Sequence, residues 1–399
     1  MKIKLLLICK KEENVMKKLL SMVLVAAMTV GLLAGCGSAN KASADAWKIG
    51  GIGPITGGAA VYGIAVMNAA QIAVDEINAA GGINGYKIEY QFQDDELDNE
   101  KAVNAYNTLK DWGMQILLGN VTSGCCVAVA AETQKDNMFQ ITPSGSSVDC
   151  VKDKDNVFQV CFTDPNQGIA SADYIADNNV AEKIAVIYDS SDVYSSGIYT
   201  KFVEEAQVKG LNIVAAEAFT ADNKTDFSVQ LQKAQDAGAD LVFLPFYYTE
   251  ASLVLTQAAS MGYAPTFYGC DGLDGILSVE NFDASLAEDV MLLTPFAADA
   301  TDAKTQAFVA EYQKRYNDLP NQFAADAYDA IYIIKEIIEA KNLTPTSSIS
   351  EICDAMKTGI TEISYDGLTG ENMSWAATGE VNKAPKAMKI VNGEYKLIQ

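Results

Sequence analysis

Histidine is absent from the 399 residues of this chain, and arginine occurs only once, at Arg315. The lack of histidine removes the commonest general base, the commonest metal ligand and the usual partner of a catalytic serine. A single arginine nearly excludes a site that holds phosphate through several guanidinium groups. These two absences argue against the common hydrolytic, metal-dependent and phosphoryl-transfer classes of enzyme.

Clustered positive charge is also missing. The chain has 29 lysine and arginine residues against 52 aspartate and glutamate residues, for a formal net charge of −23. Six lysines and only two glutamates fall in residues 1–35, so the remainder is still more acidic than the whole. Because binding to phosphate groups needs clustered cations, we predict no nucleic-acid partner.

The eight cysteines do not form a recognisable redox or metal motif. Cys125 and Cys126 are adjacent, which fits neither a Cys-x-x-Cys metal site nor a dithiol redox centre. Two alternatives stay open for Cys150 and Cys161. They form a disulfide across a loop in an oxidising compartment, or they are buried free thiols.

Long apolar runs are confined to the start of the chain. Lys17 and Lys18 precede a run from Leu19 to Leu33, which is followed by small and polar residues. This order is typical of an export signal, whereas a spanning helix needs about 20 apolar residues. A short membrane anchor is the alternative.

The end of this run, Leu33-Ala34-Gly35-Cys36, resembles a bacterial lipobox. The resemblance implies removal of residues 1–35 as a signal peptide and attachment of a lipid to Cys36. Residues 36–45 are small and polar, which predicts a flexible tether. Met16 fits the start of such a signal better than Met1, and both starts stay open.

From Trp47 onward, short β-rich runs alternate with amphipathic helical runs. The first strand is "WKIGGIGPI", and the first helix is "VYGIAVMNAAQIAVDEINAAGG". This alternation predicts an α/β fold with a parallel sheet covered by helices on both faces. It begins again at "KIAVIYD", so we predict two Rossmann-like lobes, with the first change of lobe near Cys161–Pro165.

The loops that follow the predicted strands are rich in hydroxyl groups, glycine and tyrosine. Ligands of open α/β sheets bind outside the carboxyl ends of the strands. These loops therefore predict a small-molecule site, although solvated turns are the commoner explanation for any one of them. The six loops are "GPITGGAAVYG", "GNVTSGCC", "TPSGSS", "YDSSDVYSSG", "FYYTEA" and "GCDGLDG".

Three classes of protein compete for this architecture. A dinucleotide-dependent enzyme is disfavoured because the third glycine of the expected motif is replaced by Thr56, and Pro54 interrupts it. A surface adhesin or sensor has no support from repeats or fused domains. A solute-binding protein, whose two lobes close on a small molecule, accounts for the anchor, the lobes and the missing catalytic groups together.

Four stretches of sequence point to one family within the class of solute-binding proteins. "IGPITGGAAVYG", "AAQIAVDEINAAGGINGYKIEY", "DLVFLPFYYTEA" and "YDGLTGENMSW" resemble the leucine/isoleucine/valine-binding family from about Trp47 to the C-terminus. The resemblance implies a type I periplasmic binding fold, in which two lobes with parallel central sheets are joined by three hinge crossings. The crossings then fall near residues 161–165, 293–297 and 364–370. Lobe 1 comprises residues 46–162 plus 295–363, and lobe 2 comprises residues 163–294 plus 364–399.

The resemblance also implies a set of ligand contacts. Ser123 and the stretch Ser144, Gly145, Ser146 would bind a ligand carboxylate near a helix N-terminus, and Asp271 would bind an ammonium group. Tyr62, Tyr194 and Tyr247 would line the cleft, with Tyr248 as a substitute for Tyr247. The structural alternatives are a helix-capping role for Ser123, a turn role for Asp271, which Asp274 fits better, and core packing for each tyrosine.

Several expectations about function follow from the resemblance. We expect an extracytoplasmic, lipid-anchored monomer with no enzymatic activity, cofactor or metal, which delivers an amino acid to a membrane ABC permease. Leucine, isoleucine or valine is the default ligand. Cys125-Cys126, Ser195 and Trp375 depart from the family pattern. Another amino acid, an amide or an organic acid therefore stays open as the ligand, as does a sensory role.

Overall fold

The computed structural model describes residues 46–398. The predicted signal peptide, both candidate start residues, Cys36 and the tether lie outside the described residues. Within residues 46–398, no helix combines the length and the apolar character needed to cross a bilayer.

The first sheet contains five parallel strands in the order β2-β1-β3-β4-β5. Both β3 and β4 are buried at every residue, because helices cover both faces of the sheet. The strands are β1 (Ala46–Gly53), β2 (Lys87–Asp94), β3 (Ile116–Gly119), β4 (Phe139–Thr142) and β5 (Val157–Gln159). The helices between them are α1 (Ala60–Ala79), α2 (Asn99–Trp112) and α3 (Ser123–Asp136).

The second sheet contains seven strands in the order β12-β11-β10-β9-β8-β6-β7. Its strands are β6 (Ile184–Asp189), β7 (Ile213–Phe219), β8 (Leu241–Leu244), β9 (Thr266–Gly269), β10 (Met291–Thr294), β11 (Lys386–Val391) and β12 (Glu394–Leu397). The associated helices are α4 (Asp164–Asp177), α5 (Val193–Lys209), α6 (Ser228–Asp236) and α7 (Tyr248–Ser260). The predicted α/β architecture with parallel central sheets is confirmed.

One part of the second sheet was not anticipated from the alternation of strands and helices. β11 pairs antiparallel with β10, and β12 pairs antiparallel with β11. Asn392 and Gly393 join the last two strands with φ values of 54° and 74°. Positive φ at both positions is the requirement of a tight hairpin turn, which asparagine followed by glycine meets at low cost.

Three further helices follow β10. They are α8 (Ala303–Tyr316), α9 (Gln322–Ala340) and α10 (Ile349–Ile360). Both α8 and α9 pack against α1, and α10 packs against α9 and β4, so all three cover the first sheet.

The segment that follows α10 also stays close to the first sheet. Gly379 O accepts a hydrogen bond of 2.9 Å from Gln159 N, and Trp375 Nε1 donates one of 2.8 Å to Gln159 O. The chain then enters the second sheet at Lys386, after the segment 364–370 that the resemblance assigns to the third crossing. The predicted lobe boundaries stay a prediction.

Helix α1 approaches the loop after β1 so closely that only glycine fits at residue 63. A Cβ atom on Gly63 would lie 1.9 Å from Pro54 O and 2.5 Å from Pro54 C. Both atoms belong to the backbone, so α1 and the loop would have to move apart. Since the loop leads into Tyr62, this contact also positions one of the predicted site residues.

We expect Gly63→Ala to destabilise the protein by about 1–3 kcal/mol, the usual cost of overpacking. Urea unfolding followed by circular dichroism measures this change. Gly58→Ala is the matched control, because its new Cβ atom would have no neighbour closer than Thr249 Oγ1 at 3.9 Å. Equal stability of the two variants would contradict the prediction.

Candidate functional site

A small cavity lies where the carboxyl ends of the two sheets face each other. Six of the eight predicted ligand contacts line it, and Gly145 and Ser146 do not. The role of all eight residues in ligand binding stays a prediction. The walls comprise Tyr62, Val121, Thr122, Ser123, Ser144, Tyr194, Tyr247, Asp271, Gly272 and Phe323.

The cavity measures about 10 Å³, which is room for about one water molecule. A molecule larger than water therefore enters only when the walls move apart. The walls belong to elements of both sheets, so a hinge motion that separates the sheets opens the cavity.

Two larger cavities lack the position and the polar groups expected of a specific ligand site. One, of about 540 Å³, lies at the amino ends of β9 and β10, the wrong end of parallel strands for a ligand. The other, of about 500 Å³, lies beside residues 292–298. Among the residues that the structure describes, neither is lined by a buried polar side-chain atom without a hydrogen-bond partner. Such atoms do occur in and around the small cavity.

Ser123 and Ser144 form the wall that belongs to the first sheet. Ser123 is the first residue of α3, but the cap position is occupied by Thr122. The Oγ of Ser123 instead accepts a hydrogen bond of 3.1 Å from Ser147 N, so the capping alternative is wrong. Ser144 Oγ donates to Val121 O at 2.6 Å. These bonds fix both hydroxyl groups beside the amino end of α3, where a helix favours negative charge.

Gly145 and Ser146 lie behind this wall. The N–H of Gly145 donates to Thr142 Oγ1 at 2.6 Å, and Gln159 Nε2 donates to its carbonyl oxygen at 2.7 Å. Ser146 is fully buried, and its hydroxyl group has no partner of good hydrogen-bond geometry. Gly145 thus shapes the loop, while Ser146 keeps a free hydroxyl group.

Asp271 supplies the negative charge of the opposite wall. It follows β9 and is 3% exposed. Tyr194 donates its hydroxyl hydrogen to Asp271 Oδ1 at 2.6 Å. Burial raises the pKa of Asp271 to about 7, although the hydrogen bond from Tyr194 acts in the opposite direction. A cationic partner would favour the ionised carboxylate and lower this pKa.

The turn aspartate expected at Asp274 has a different role. Its Oδ2 accepts a hydrogen bond of 3.1 Å from Gln322 N, at the start of α9. Gln322 Nε2 also donates to Asp271 O at 3.2 Å. The loop that carries Asp271 is therefore held against α9 by two bonds.

Aromatic rings fill the remaining walls. Tyr194 and Tyr247 stack with their centroids 5.1 Å apart, and Tyr62 lies 4.2 Å from Phe323. Tyr62 donates to Gly272 O at 2.5 Å, a bond between α1 and the loop after β9. Such rings offer apolar faces to a ligand side chain and hydroxyl groups to its polar end.

Tyr248, the predicted substitute for Tyr247, holds the walls together rather than lining the cavity. Its hydroxyl oxygen accepts a hydrogen bond of 3.2 Å from Val61 N. Gly272 lies in the same region, where its neighbours are so close that only glycine fits. A Cβ atom there would lie 2.7 Å from the Tyr194 hydroxyl oxygen and 2.8 Å from Phe246 O.

Two polar residues near this site were missed by the sequence analysis. Asp164 is the first residue of α4 and Gln167 follows on the same face of the helix. Both residues are buried. Gln167 Oε1 accepts a hydrogen bond of 3.2 Å from Asp271 N, which connects α4 to the cavity wall. The sequence "DPNQG" indicates only a helix start with proline in the first turn.

The six cysteines within the described residues are buried free thiols. Cys150 and Cys161 are buried free thiols, in agreement with the second of the two alternatives. Burial raises the pKa of both thiols, which disfavours the reactive thiolate. In the part of the chain that the structure describes, no three cysteine, aspartate or glutamate side chains are grouped to hold a metal.

Comparison with known proteins agrees with this geometry. A family model described as periplasmic binding protein matches residues 46–394. Leu/Ile/Val-binding protein homolog 3 of Brucella melitensis is 32% identical over 321 residues, which cover 80% of this chain and 86% of that protein. A leucine-, isoleucine-, valine-, threonine- and alanine-binding protein of Pseudomonas aeruginosa is 29% identical, over 82% of this chain and 86% of that protein.

Solved structures show the same architecture. The branched-chain amino acid transporter substrate binding protein LivJ from Streptococcus pneumoniae, solved in complex with isoleucine, matches with a TM-score of 0.79 and 29% identity. The match covers 88% of this chain and 99% of that one. A solute binding protein from R. palustris in complex with benzoate matches with a TM-score of 0.78 at 18% identity, over 88% and 95% of the two chains. The second likeness shows the fold alone.

Proposed function

Since this chain belongs to the periplasmic binding protein family, we propose that it is the extracytoplasmic solute-binding component of an ABC importer for an amino acid with an apolar side chain. The observation that carries the proposal is the small cavity itself. It brings hydroxyl groups at a helix N-terminus, a buried carboxylate and aromatic rings together. These three features match the carboxylate, the ammonium group and the side chain of such a ligand.

The two polar ends of the ligand meet opposite walls. Its carboxylate receives hydrogen bonds from Ser123 and Ser144 beside the amino end of α3. Its ammonium group donates to Asp271, a charge-assisted bond that contributes about 1.5–3 kcal/mol. Burial of an aliphatic side chain among Tyr62, Tyr194 and Tyr247 contributes about as much again.

Closure of the two lobes is the working step. With the walls apart, the ligand binds first to one lobe, and its contacts with the other lobe then favour the closed arrangement. The bond from Tyr62 to Gly272 O joins α1 to the second lobe in that arrangement. We propose that the permease recognises the closed form and that lipid on Cys36 keeps the protein at the membrane surface.

Branched-chain amino acids are the ligands that we propose first. The names of the relatives from Brucella melitensis and Pseudomonas aeruginosa support this choice, as does the isoleucine complex of the Streptococcus pneumoniae protein. An organic acid without an ammonium group is disfavoured, because Asp271 would then face it as an unpaired buried carboxylate. A sensory role would use the same cavity and differ only in the partner.

Calorimetric titration tests the ligand class directly. The protein from Gly37 onward is unfolded and refolded to remove bound ligand, then titrated with each of the twenty amino acids. We expect binding in the micromolar range or tighter for leucine, isoleucine or valine, and none for 4-methylpentanoate, which lacks the ammonium group of leucine. Binding of the acid with equal affinity, or of no amino acid, would contradict the proposal.

A further inference from the structure

Two hydrogen bonds outside the small cavity join an element of the first sheet to an element of the second. Thr249 Oγ1 donates to Gly58 O at 2.6 Å, and Val61 N donates to the Tyr248 hydroxyl oxygen at 3.2 Å. Gly58 precedes α1 and Val61 lies in its first turn, on the side of the first sheet. Tyr248 and Thr249 are the first two residues of α7, on the side of the second sheet. We call these four residues the clasp.

The clasp is separate from the cavity that the proposed ligand occupies. None of its four residues belongs to the cavity walls. Tyr248 is buried, and its ring meets the Tyr62 ring edge to face, with the centroids 5.0 Å apart. The Tyr248 hydroxyl group also interacts with the Thr249 side chain. The two bonds of the clasp are therefore connected to each other, directly behind one wall of the cavity.

The bonds of the clasp need no ligand atom, because both partners in each bond are protein groups. They form only when the start of α1 and the start of α7 come together, as they do in the closed arrangement. When the two sheets separate, water replaces each partner, so the net gain from each bond is modest. A contact that exists in only one of two arrangements shifts the equilibrium toward that arrangement.

We propose that Tyr248 and Thr249 are positioning residues for ligand binding, which hold α7 against α1 in the closed arrangement and strengthen binding without touching the ligand. The inference rests on the proposed function for the ligand that reports it, and it assigns a role to residues outside the cavity. The clasp also sets how much of the ligand-free protein is closed. Because every ligand is held in the closed arrangement, the clasp strengthens the binding of each by the same factor and does not choose among them.

Calorimetric titration of three variants with leucine, isoleucine and valine tests the clasp. Thr249→Val removes the hydroxyl donor at nearly constant size and should weaken binding about threefold, as expected for one neutral hydrogen bond. Thr249→Ser keeps the donor and should bind as tightly as the wild type. The double variant Tyr248→Phe/Thr249→Val loses both bonds and should bind about tenfold more weakly. Each factor should be the same for the three amino acids.

Thr256→Val is the matched control, because it removes a hydroxyl group of the same kind from the same helix. Thr256 Oγ1 donates to Ser252 O at 2.7 Å, a bond inside α7 that separation of the sheets leaves intact. Its affinity for all three amino acids should be unchanged.

The distance between two spin labels reports closure without any ligand. Cysteines introduced by Glu100→Cys and Asp222→Cys would carry the labels. Both positions are exposed, and they follow β2 and β7, strands of the first and second sheet. The cysteines of the described residues are buried, and the protein from Gly37 onward lacks Cys9 and Cys36, so labelling is selective. We expect pulsed electron paramagnetic resonance to show a larger long-distance population in the double variant than in the wild type and Thr256→Val.

The outcomes separate this inference from the proposed function. Wild-type affinity for all three amino acids in the folded double variant overturns the clasp and leaves the function standing. Losses that differ among the three amino acids also overturn it, since they place the changed residue in contact with the ligand. If the wild type binds none of the twenty amino acids, the proposed function fails and the interspin distances decide the clasp alone. Identical distance distributions in the ligand-free wild type and double variant overturn it.

Discussion

Asp271→Ala is expected to weaken amino-acid binding by at least about tenfold and by up to roughly 100-fold. A hydrogen bond to a charged group contributes about 1.5–3 kcal/mol, and each 1.4 kcal/mol is a factor of ten in affinity. The protein should remain folded. Burial already favours the neutral form of this carboxyl group, so the variant loses no stabilising charge. Calorimetric titration with isoleucine at pH 8, where the carboxylate is ionised, measures the change.

Two further variants show whether the charge of Asp271 is responsible. Asp271→Asn can still accept the hydrogen bond from Tyr194 but has no charge, so it should show most of the loss. Glu280→Ala is the control, since Glu280 is an exposed carboxylate close in sequence that does not line the cavity. Its affinity should stay within about threefold of the wild type. Full affinity in both Asp271 variants would remove Asp271 from the ligand site.

The architecture was predictable because its signals are local. The run that became β3 is short and apolar, and α1 has apolar residues at helical spacing. The loops that carry the candidate site followed from topology, since the loops after parallel strands meet at one edge of each sheet. The individual residues followed from the resemblance to the leucine/isoleucine/valine-binding family. The sequence Asn392-Gly393 is also a local signal, because it predicts a hairpin turn. A prediction based only on the alternation of strands and helices does not include it.

The rest of the site depends on contacts distant in sequence. Phe323 reaches the cavity on α9 and packs against Tyr62, more than 250 positions earlier. Nothing in the residues next to Phe323 distinguishes it from an ordinary core aromatic residue. Asp164 has the same difficulty. A helix-starting aspartate is common, and only its burial without a well-aligned hydrogen-bond partner among the described residues singles it out.

The buried ion pair between Lys383 and Asp326 gives the second large prediction. Lys383 Nζ donates to Asp326 Oδ1 and to Thr369 Oγ1, both at 2.6 Å, and neither charged side chain is appreciably exposed. Lys383 lies three residues before β11, where the chain passes from the segment after α10 to the second sheet. The pair therefore ties this connection to the helix that carries Phe323.

Lys383→Met should destabilise the protein by about 3–5 kcal/mol at pH 8, because it leaves Asp326 as an unpaired buried carboxylate. The double variant Lys383→Met/Asp326→Leu removes both charges and should recover most of this loss. Urea unfolding of the wild type and the two variants measures the differences. A single variant as stable as the wild type, or a double variant no better than the single one, would contradict the interpretation.

The pH dependence of the single variant follows from the same carboxyl group. Burial raises the pKa of Asp326 to about 6 even with Lys383 beside it, and removal of the lysine raises it further. The folded variant then binds a proton that the unfolded chain, with a pKa near 4, has already lost at pH 5 to 6. Stability relative to the wild type should therefore fall as the pH rises from 5 to 8. A loss that is equal at both pH values would mean that lost packing by the lysine side chain, rather than its charge, is responsible.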